Sequence, residues 1–336
     1  MLTKFLSKPM VLFTSGIIVL SLLVFLLILQ QKINQPMALK NNTFITIEAG
    51  DSTRHLGHQL IAKGFINSTI WLRSYVKLQP AYGAIKKGTY EIQPNTSLRQ
   101  LLQQLITGKE YQFSITFVEG TTFNEWLIQL QHAPYIHFNL KNLSASDIAK
   151  QLDIVQTSPE GWFFPDTYAY TSGTTALAIL RTAHVKMEQE LADAWQQRAP
   201  DILLTSAYQA LVLASIIEKE TGQVDEQPLI SAVFNNRLRL HMRLQTDPTV
   251  IYGLGANYNG DLTKANLKQL TPYNTYKIKG LPPSPIAMPG KSALLASVQP
   301  SDTNMLYFVS QGNGRHVFSS NITDHNKAVK KYQLNK

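Results

Sequence analysis

The chain has 336 residues, 44% of them hydrophobic and 16% charged, with a net charge of +9 and no cysteine. These values exclude a disordered chain, disulfide bonds and thiolate catalysis, and the length leaves room for two or three domains. The positive balance favours anionic partners such as lipid headgroups or acidic glycans, but the basic residues are scattered rather than run together, so nucleic acid is not indicated.

In chain order, the first feature is the uncharged run from Val11 to Leu29. At about 1.5 Å per residue it is just long enough to cross a hydrocarbon core of about 30 Å. A cleaved signal peptide would have a shorter apolar region and a small-residue cleavage site, and Gln30–Gln31–Lys32–Ile33–Asn34–Gln35 supplies none. The run therefore reads as an uncleaved single-pass anchor over residues 11–29, with residues 1–10 on the cytoplasmic side. Lys4 and Lys8 before the span nearly balance Lys32 and Lys40 after it, and the amino terminus tips the count towards an inside N-terminus. Residues 30–42 are polar, include Pro36, and read as a linker.

A strand–turn–helix pattern then recurs three times. It starts at Ile45, at Tyr90 and at Ile115. Gly50, Asn95 and Gly120 suit a turn with positive φ, and Ser52, Ser97 and Thr122 suit the helix cap that follows. Pairs of apolar residues four apart dock each helix on a sheet. The first two copies, within residues 43–110, resemble LysM-type modules, which bind N-acetylglucosamine-containing glycans. A plain packing domain explains the same pattern.

From residue 111 onward the sequence suggests a mixed α/β catalytic domain, so the whole reads as α+β. The segment Glu160-Gly161-Trp162-Phe163-Phe164-Pro165-Asp166 is rigid and aromatic. It suits either a sugar-stacking wall or, more simply, a core plug. Ala176 to Gln197 reads as a long amphipathic helix. Ala207 to Thr221 reads as an apolar helix that ends in Glu218–Lys219–Glu220. A carboxyl that follows directly on an apolar run has its charged form disfavoured, which is the condition a general acid needs. On a helix Glu218 and Glu220 point about 200° apart, so they cannot share one cleft as an acid/nucleophile pair. Glu160, Asp166 and Asp247 are the other candidate acids. Asp247-Pro248 reads as a helix start with Asp as the cap, among the hydrogen-bonding groups of Gln245, Thr246 and Thr249. A helix around Leu229 to Leu240, a Pro-rich loop from Gly280 to Gly290, a short helix from Lys291 to Val298, strands at Leu306–Val309 and His316–Ser319 and a helix from Thr323 to Tyr332 complete the chain. No metal-ligand spacing, phosphate loop or nucleophile elbow occurs, so no cofactor or metal is expected.

Taken together, ASIIEKET (214–221), EGWFFPDTY (160–168), FNNRL (234–238), LQTDPTVIYG (244–253), YNTY (273–276), GLPPSPIAMPG (280–290) and HNKAV (325–329) resemble the MltG (YceG-like) endolytic murein transglycosylases. His241 stands where that family usually has Gly, and Ser284 and Met288 replace its more usual Gly and Asn. The resemblance implies cleavage of the β-1,4 bond between N-acetylmuramic acid and N-acetylglucosamine within peptidoglycan, leaving 1,6-anhydro ends. It implies a role in terminating nascent strands beside peptidoglycan synthases (penicillin-binding proteins) at the inner membrane. It places Glu218 as the catalytic acid/base, with Gln245, Asp247, Asn274 and Tyr276 expected to line the cleft. The alternative is a non-enzymatic peptidoglycan-binding scaffold of the cell envelope.

Overall fold

The computed structural model describes residues 8–334. Most of the segment expected on the cytoplasmic side lies outside them. The described chain is mixed α+β, rich in helix and with three two-stranded sheets. It divides into two compact units, Met1–Phe113 and Ser114–Lys336.

The first unit begins with α1, Lys8–Asn34. Residues Phe13–Asn34 are long and apolar enough to cross a membrane, a property shared by anchors and signal sequences. The helix does not stop at Leu29, and residues 30–42 are not a free linker. Leu29, Ile33 and Met37 are 3%, 0% and 6% exposed and belong to the core of the unit. Pro36 bridges Ser97, and Met37 N donates to Thr96 O at 3.0 Å. Composition marks this stretch as polar, yet every fourth residue is apolar, and that stripe packs against the unit. There follow β1 (Thr43–Ile47), α2 (Thr53–Ala62), α3 (Ile70–Leu78), β2 (Gly88–Ile92) and α4 (Leu98–Thr107). Strands β1 and β2 pair antiparallel, Thr43 opposite Ile92 and Ile47 opposite Gly88. The recurring turn forms as its residues dictate. Gly50, Asn95 and Gly120 have φ of 91°, 68° and 74°. Ser52, Ser97 and Thr122 each accept a backbone N–H of the helix they start. Such a cap is worth about 1 kcal/mol.

The third copy of the pattern opens the second unit. It comprises β3 (Phe113–Thr116) and α5 (Phe123–His132), and β3 pairs with β4 (Thr167–Tyr170). Between them lies α6 (Ala145–Gln151). The helical body follows as α7 (Ala176–Gln196), α8 (Ala207–Glu220), α9 (Gln227–Arg239), α10 (Asp247–Leu254), α11 (Lys264–Lys268) and α12 (Lys291–Val298). The antiparallel pair β5 (Tyr307–Ser310) and β6 (His316–Ser319) and the helix α13 (Ile322–Val329) close it. Helix α8 is central, packed by α7, α9, α10 and α12. Leu211, Leu213, Ala214, Ile216 and Ile217 are fully buried, and each large apolar side chain so placed contributes about 1.5–3 kcal/mol. This burial on nearly all sides is what an unbroken apolar run requires.

The aromatic segment is a core plug. Phe163 and Phe164 are 0% and 7% exposed. Gly161 makes that turn possible: its φ is 82°, and a Cβ there would lie 2.4 Å from Pro285 Cβ. Gly161→Ala combines a disfavoured backbone with a clash against a rigid ring. It is expected to destabilise the second unit by about 2–4 kcal/mol. An unchanged denaturant midpoint would show that the turn has a tolerant alternative.

Candidate active site

The end of α8 carries two carboxyl groups on opposite sides. Glu218 turns towards the Pro-rich loop. Its Oε2 accepts the Gly290 N–H at 3.0 Å. The turn at Glu119–Gly120 packs on the same side. Gly120 N donates to Met288 O at 2.8 Å, Lys219 Nζ donates to Gly120 O at 3.0 Å, and the Glu119 carboxyl occupies the place where a Gly290 side chain would stand. Burial raises the Glu218 pKa, opposed by the Gly290 N–H and reinforced by the nearby Glu119 charge. Glu119 had no signal in the sequence beyond its place in the third strand–turn–helix copy.

Glu220 turns to the other side, into a cavity of about 540 Å³. The residue is half-buried, and its carboxyl accepts the Thr246 hydroxyl. Burial pushes its pKa up to about 7, the Thr246 bond opposing and the Asp247 charge adding to the shift. Gln245, Asp247 and Tyr276 line the same cavity, with Arg237, Tyr307 and His325. Asp247 Oδ1 accepts the Tyr276 hydroxyl at 2.6 Å. Gln245 has φ of 54°, an uncommon conformation for a residue with a side chain and one that gathers at functional sites. Three of the four residues expected around a cleft are therefore together, and the carboxyl they share it with is Glu220 rather than Glu218. The 200° separation along the helix requires that only one of the two be there.

Arg237 shapes this cavity from below, a role that sequence reasoning missed. It is 8% exposed. Its Nε donates to Leu306 O at 2.7 Å, and its Nη1 donates to Leu244 O at 2.7 Å and Arg243 O at 3.3 Å. It thus ties the residue that leads into β5 to the segment before α10. The Asn-Asn-Arg run was the available signal, since an Arg on a buried helix face needs several acceptors.

The remaining expected residues lie elsewhere. Asn274 is 0% exposed. Its amide donates to Asn266 O, Leu267 O and Gln269 O at the end of α11, and its Oδ1 accepts the Tyr276 N–H. It does not line the cavity; it holds the loop that presents Tyr276. Asp247 is the first residue of α10, and Thr246 takes the cap position. The Asp247 side chain is directed to Tyr276 instead of the helix end. Glu160 is 4% exposed and accepts Phe123 N at 2.9 Å and the Tyr252 hydroxyl at 3.1 Å. Burial pushes it up to about 7, but it is sealed in the core. Asp166 is paired with Lys186, which holds its pKa below the usual carboxylate range.

The YceG-like family pattern matches residues 45–331. This chain belongs to the YceG-like family. A protein of Bacillus subtilis (strain 168) named endolytic murein transglycosylase is 31% identical over 87% of this chain and 85% of its own length. One of the same name from Streptococcus pneumoniae serotype 2 is 25% identical over 88% of this chain, which spans 59% of that longer protein. A crystal structure of a yceG-like protein from Listeria monocytogenes superimposes with a TM-score of 0.53 at 27% identity, covering 86% of this chain and 99% of that one. The three positions singled out in the sequence have local accounts. His241 has φ of 53°, a conformation that favours glycine. Ser284 bonds the Tyr273 hydroxyl at 2.7 Å, and Met288 is fully buried.

Proposed function

We propose that this chain is an endolytic peptidoglycan lytic transglycosylase and that Glu220 is its acid/base. The observation that carries this reading is one carboxyl, held near neutral pKa, in the polar cavity formed by Gln245, Asp247 and Tyr276. The protonated Glu220 donates to the leaving glycosidic oxygen as the bond from C1 of N-acetylmuramic acid breaks. Its carboxylate then takes the proton from the 6-hydroxyl of the same sugar as that oxygen bonds to C1. The result is a 1,6-anhydro end, with no water consumed. One carboxyl suffices because the substrate supplies the nucleophile. Burial keeps Glu220 protonated, the charge of Asp247, itself bonded to Tyr276, adds to that shift, and Gln245 offers an amide to sugar hydroxyls. The family resemblance of the ASIIEKET motif supports a second reading, in which Glu218 is the acid/base. Separate Glu220→Gln and Glu218→Gln variants, assayed on purified sacculi, decide between the two.

The pH behaviour tests the assignment independently. The reacting form of Glu220 is the acid, so cleavage is expected to fall as pH rises through about 7. A profile that declines only around the ordinary value of 4.5 would contradict this. Stability follows the same sign. Folding favours protonated Glu220, so its contribution is full below 4.5 and is lost as pH rises through about 7. Glu220→Gln is expected to unfold at a higher temperature than the intact protein above that pH, and at about the same temperature near pH 4.

The further parts of the reading are cleavage of nascent strands at the inner membrane, with α1 as a single-pass anchor, the N-terminus in the cytoplasm, residues 43–110 as a LysM-like module, residues 111–336 as the catalytic domain, and peptidoglycan synthases as neighbours. The apolar length of α1 supports the anchor and the names of the relatives support action on murein; the orientation, the LysM-like module and the neighbouring synthases follow from the sequence resemblance and charge count alone. Fusing a reporter that is active only in the cytoplasm to the C-terminus tests the orientation, and activity of that reporter would reverse it.

A further inference from the structure

The first unit approaches the bilayer more closely than an anchor on a tether would. Helix α1 enters the core of the unit at Leu29 and Ile33, and the Phe25 ring lies 6.2 Å from that of Trp71, the second residue of α3. Phe25 and Leu29 belong to the uncharged run itself. What remains of that run, Val11 to Val24, is about 21 Å of helix at about 1.5 Å per residue, against a hydrocarbon core of about 30 Å. A spanning helix this short is accommodated by thinning of the bilayer, by snorkelling of flanking side chains, by oligomerisation, or by the edge of the unit entering the interfacial layer.

That edge has the chemistry for it. Ile70 is 60% exposed beside Trp71, and amphipathic aromatic rings gather at the level of the headgroups. On the same face of α3 as Ile70 stand Arg73 and Lys77. With Arg54 of α2 they line a depression of about 640 Å³ whose lining includes no carboxylate. Among the described residues none of these three cations is in an ion pair. Asp51, the nearby acid in sequence, turns instead to Glu48 N at 2.9 Å and to His55.

We propose that this edge is a lipid-binding face: Ile70 and Trp71 lie in the bilayer interface, and Arg54, Arg73 and Lys77 hold anionic phospholipid headgroups. The apolar helix brings the face to the membrane, and its unpaired cations match negative lipid. The first unit is then fixed at the surface rather than free to reach outward. The proposal rests on α1 spanning the bilayer and not on the catalytic assignment.

The test uses the full chain in bilayer nanodiscs that carry lipids brominated near the headgroup end of their tails. The discs are made of phosphatidylcholine with or without phosphatidylglycerol, and the Trp71 signal is taken as the difference from Trp71→Phe. Trp71 emission is expected to be quenched by these shallow bromines, about twofold or more, and more strongly with phosphatidylglycerol. The combined variant Arg54→Ser, Arg73→Ser and Lys77→Ser is expected to lose the phosphatidylglycerol-dependent part while keeping its unfolding temperature and its place in the disc. Trp71 emission indifferent to brominated lipid would overturn the proposal, as would quenching that ignores lipid charge. Quenching relieved by soluble peptidoglycan fragments would also overturn it, assigning the face to glycan.

Discussion

Glu220→Gln is expected to slow glycan cleavage by about 10²–10⁴-fold, the range that a positioned acid/base supplies. The substitution preserves size and keeps an acceptor for the Thr246 hydroxyl, so the fold is expected to survive. The loss should appear in kcat more than in KM, because proton transfer belongs to the transition state and not to ground-state binding. Glu218→Gln keeps its acceptor for the Gly290 N–H and is expected to remain within about tenfold of the intact protein. Rates of soluble product release from sacculi, with thermal unfolding of each variant recorded beside them, check the ranking. If Glu218→Gln is inert and Glu220→Gln active, the acid/base is Glu218 and the cavity behind Glu220 serves another purpose.

The second large effect is on stability. Arg237→Ala removes a nearly buried cation and leaves Leu306 O, Leu244 O and Arg243 O without their shared donor. Leaving the buried Leu244 O without a donor costs about 1–3 kcal/mol, and the partly buried Leu306 O and Arg243 O add less because water reaches them. Arg237→Lys is not a rescue, since a single ammonium cannot span the acceptors that the planar fork reaches. Urea unfolding followed by tryptophan emission reports this directly: three of the four tryptophans, Trp126, Trp162 and Trp195, lie in the second unit. A midpoint within error of the intact protein would show that β5 is held without Arg237.

The elements most legible in the sequence were those with local causes. The three turns at Gly50, Asn95 and Gly120 and their caps follow from residues adjacent in sequence, and they formed as their chemistry dictates. The helix at Lys291–Val298 has the expected bounds, and the helix expected at Ala176–Gln197 ends one residue earlier, at Gln196. What escaped was set by distant partners. Gln30–Asn34 is polar in composition but continues α1, because Ile33 finds the core of the first unit. Asn274 is a hydrogen-bonding residue in a loop, and only the fold reveals that two carbonyls of α11 and that of Gln269 just after it surround its amide. Thr246 rather than Asp247 precedes α10, and the Asp247 carboxyl instead accepts the hydroxyl of Tyr276, 29 positions away.

The two glutamates illustrate the same division. Helical geometry alone established that Glu218 and Glu220 face apart. Which of them meets Gln245, Asp247 and Tyr276 depends on where α10 and the Tyr273–Tyr276 loop pack around α8, and no local pattern encodes that. The position of Glu119 against Gly290 is likewise a tertiary fact. There Glu218 Oε2 accepts the Gly290 N–H, and the Glu119 carboxyl fills the space beside Gly290 where a side chain would stand.

Mass spectrometry of the ends produced from intact sacculi is the most direct measurement of the central claim. Intramolecular attack by the 6-hydroxyl predicts 1,6-anhydro-muramic ends, lighter by one water than hydrolysed ends, released from within strands and absent with Glu220→Gln. Reducing, hydrated ends would make the protein a hydrolase and would give Asp247 the second carboxyl role. Anhydro ends undiminished by Glu220→Gln would contradict the assignment of the acid/base.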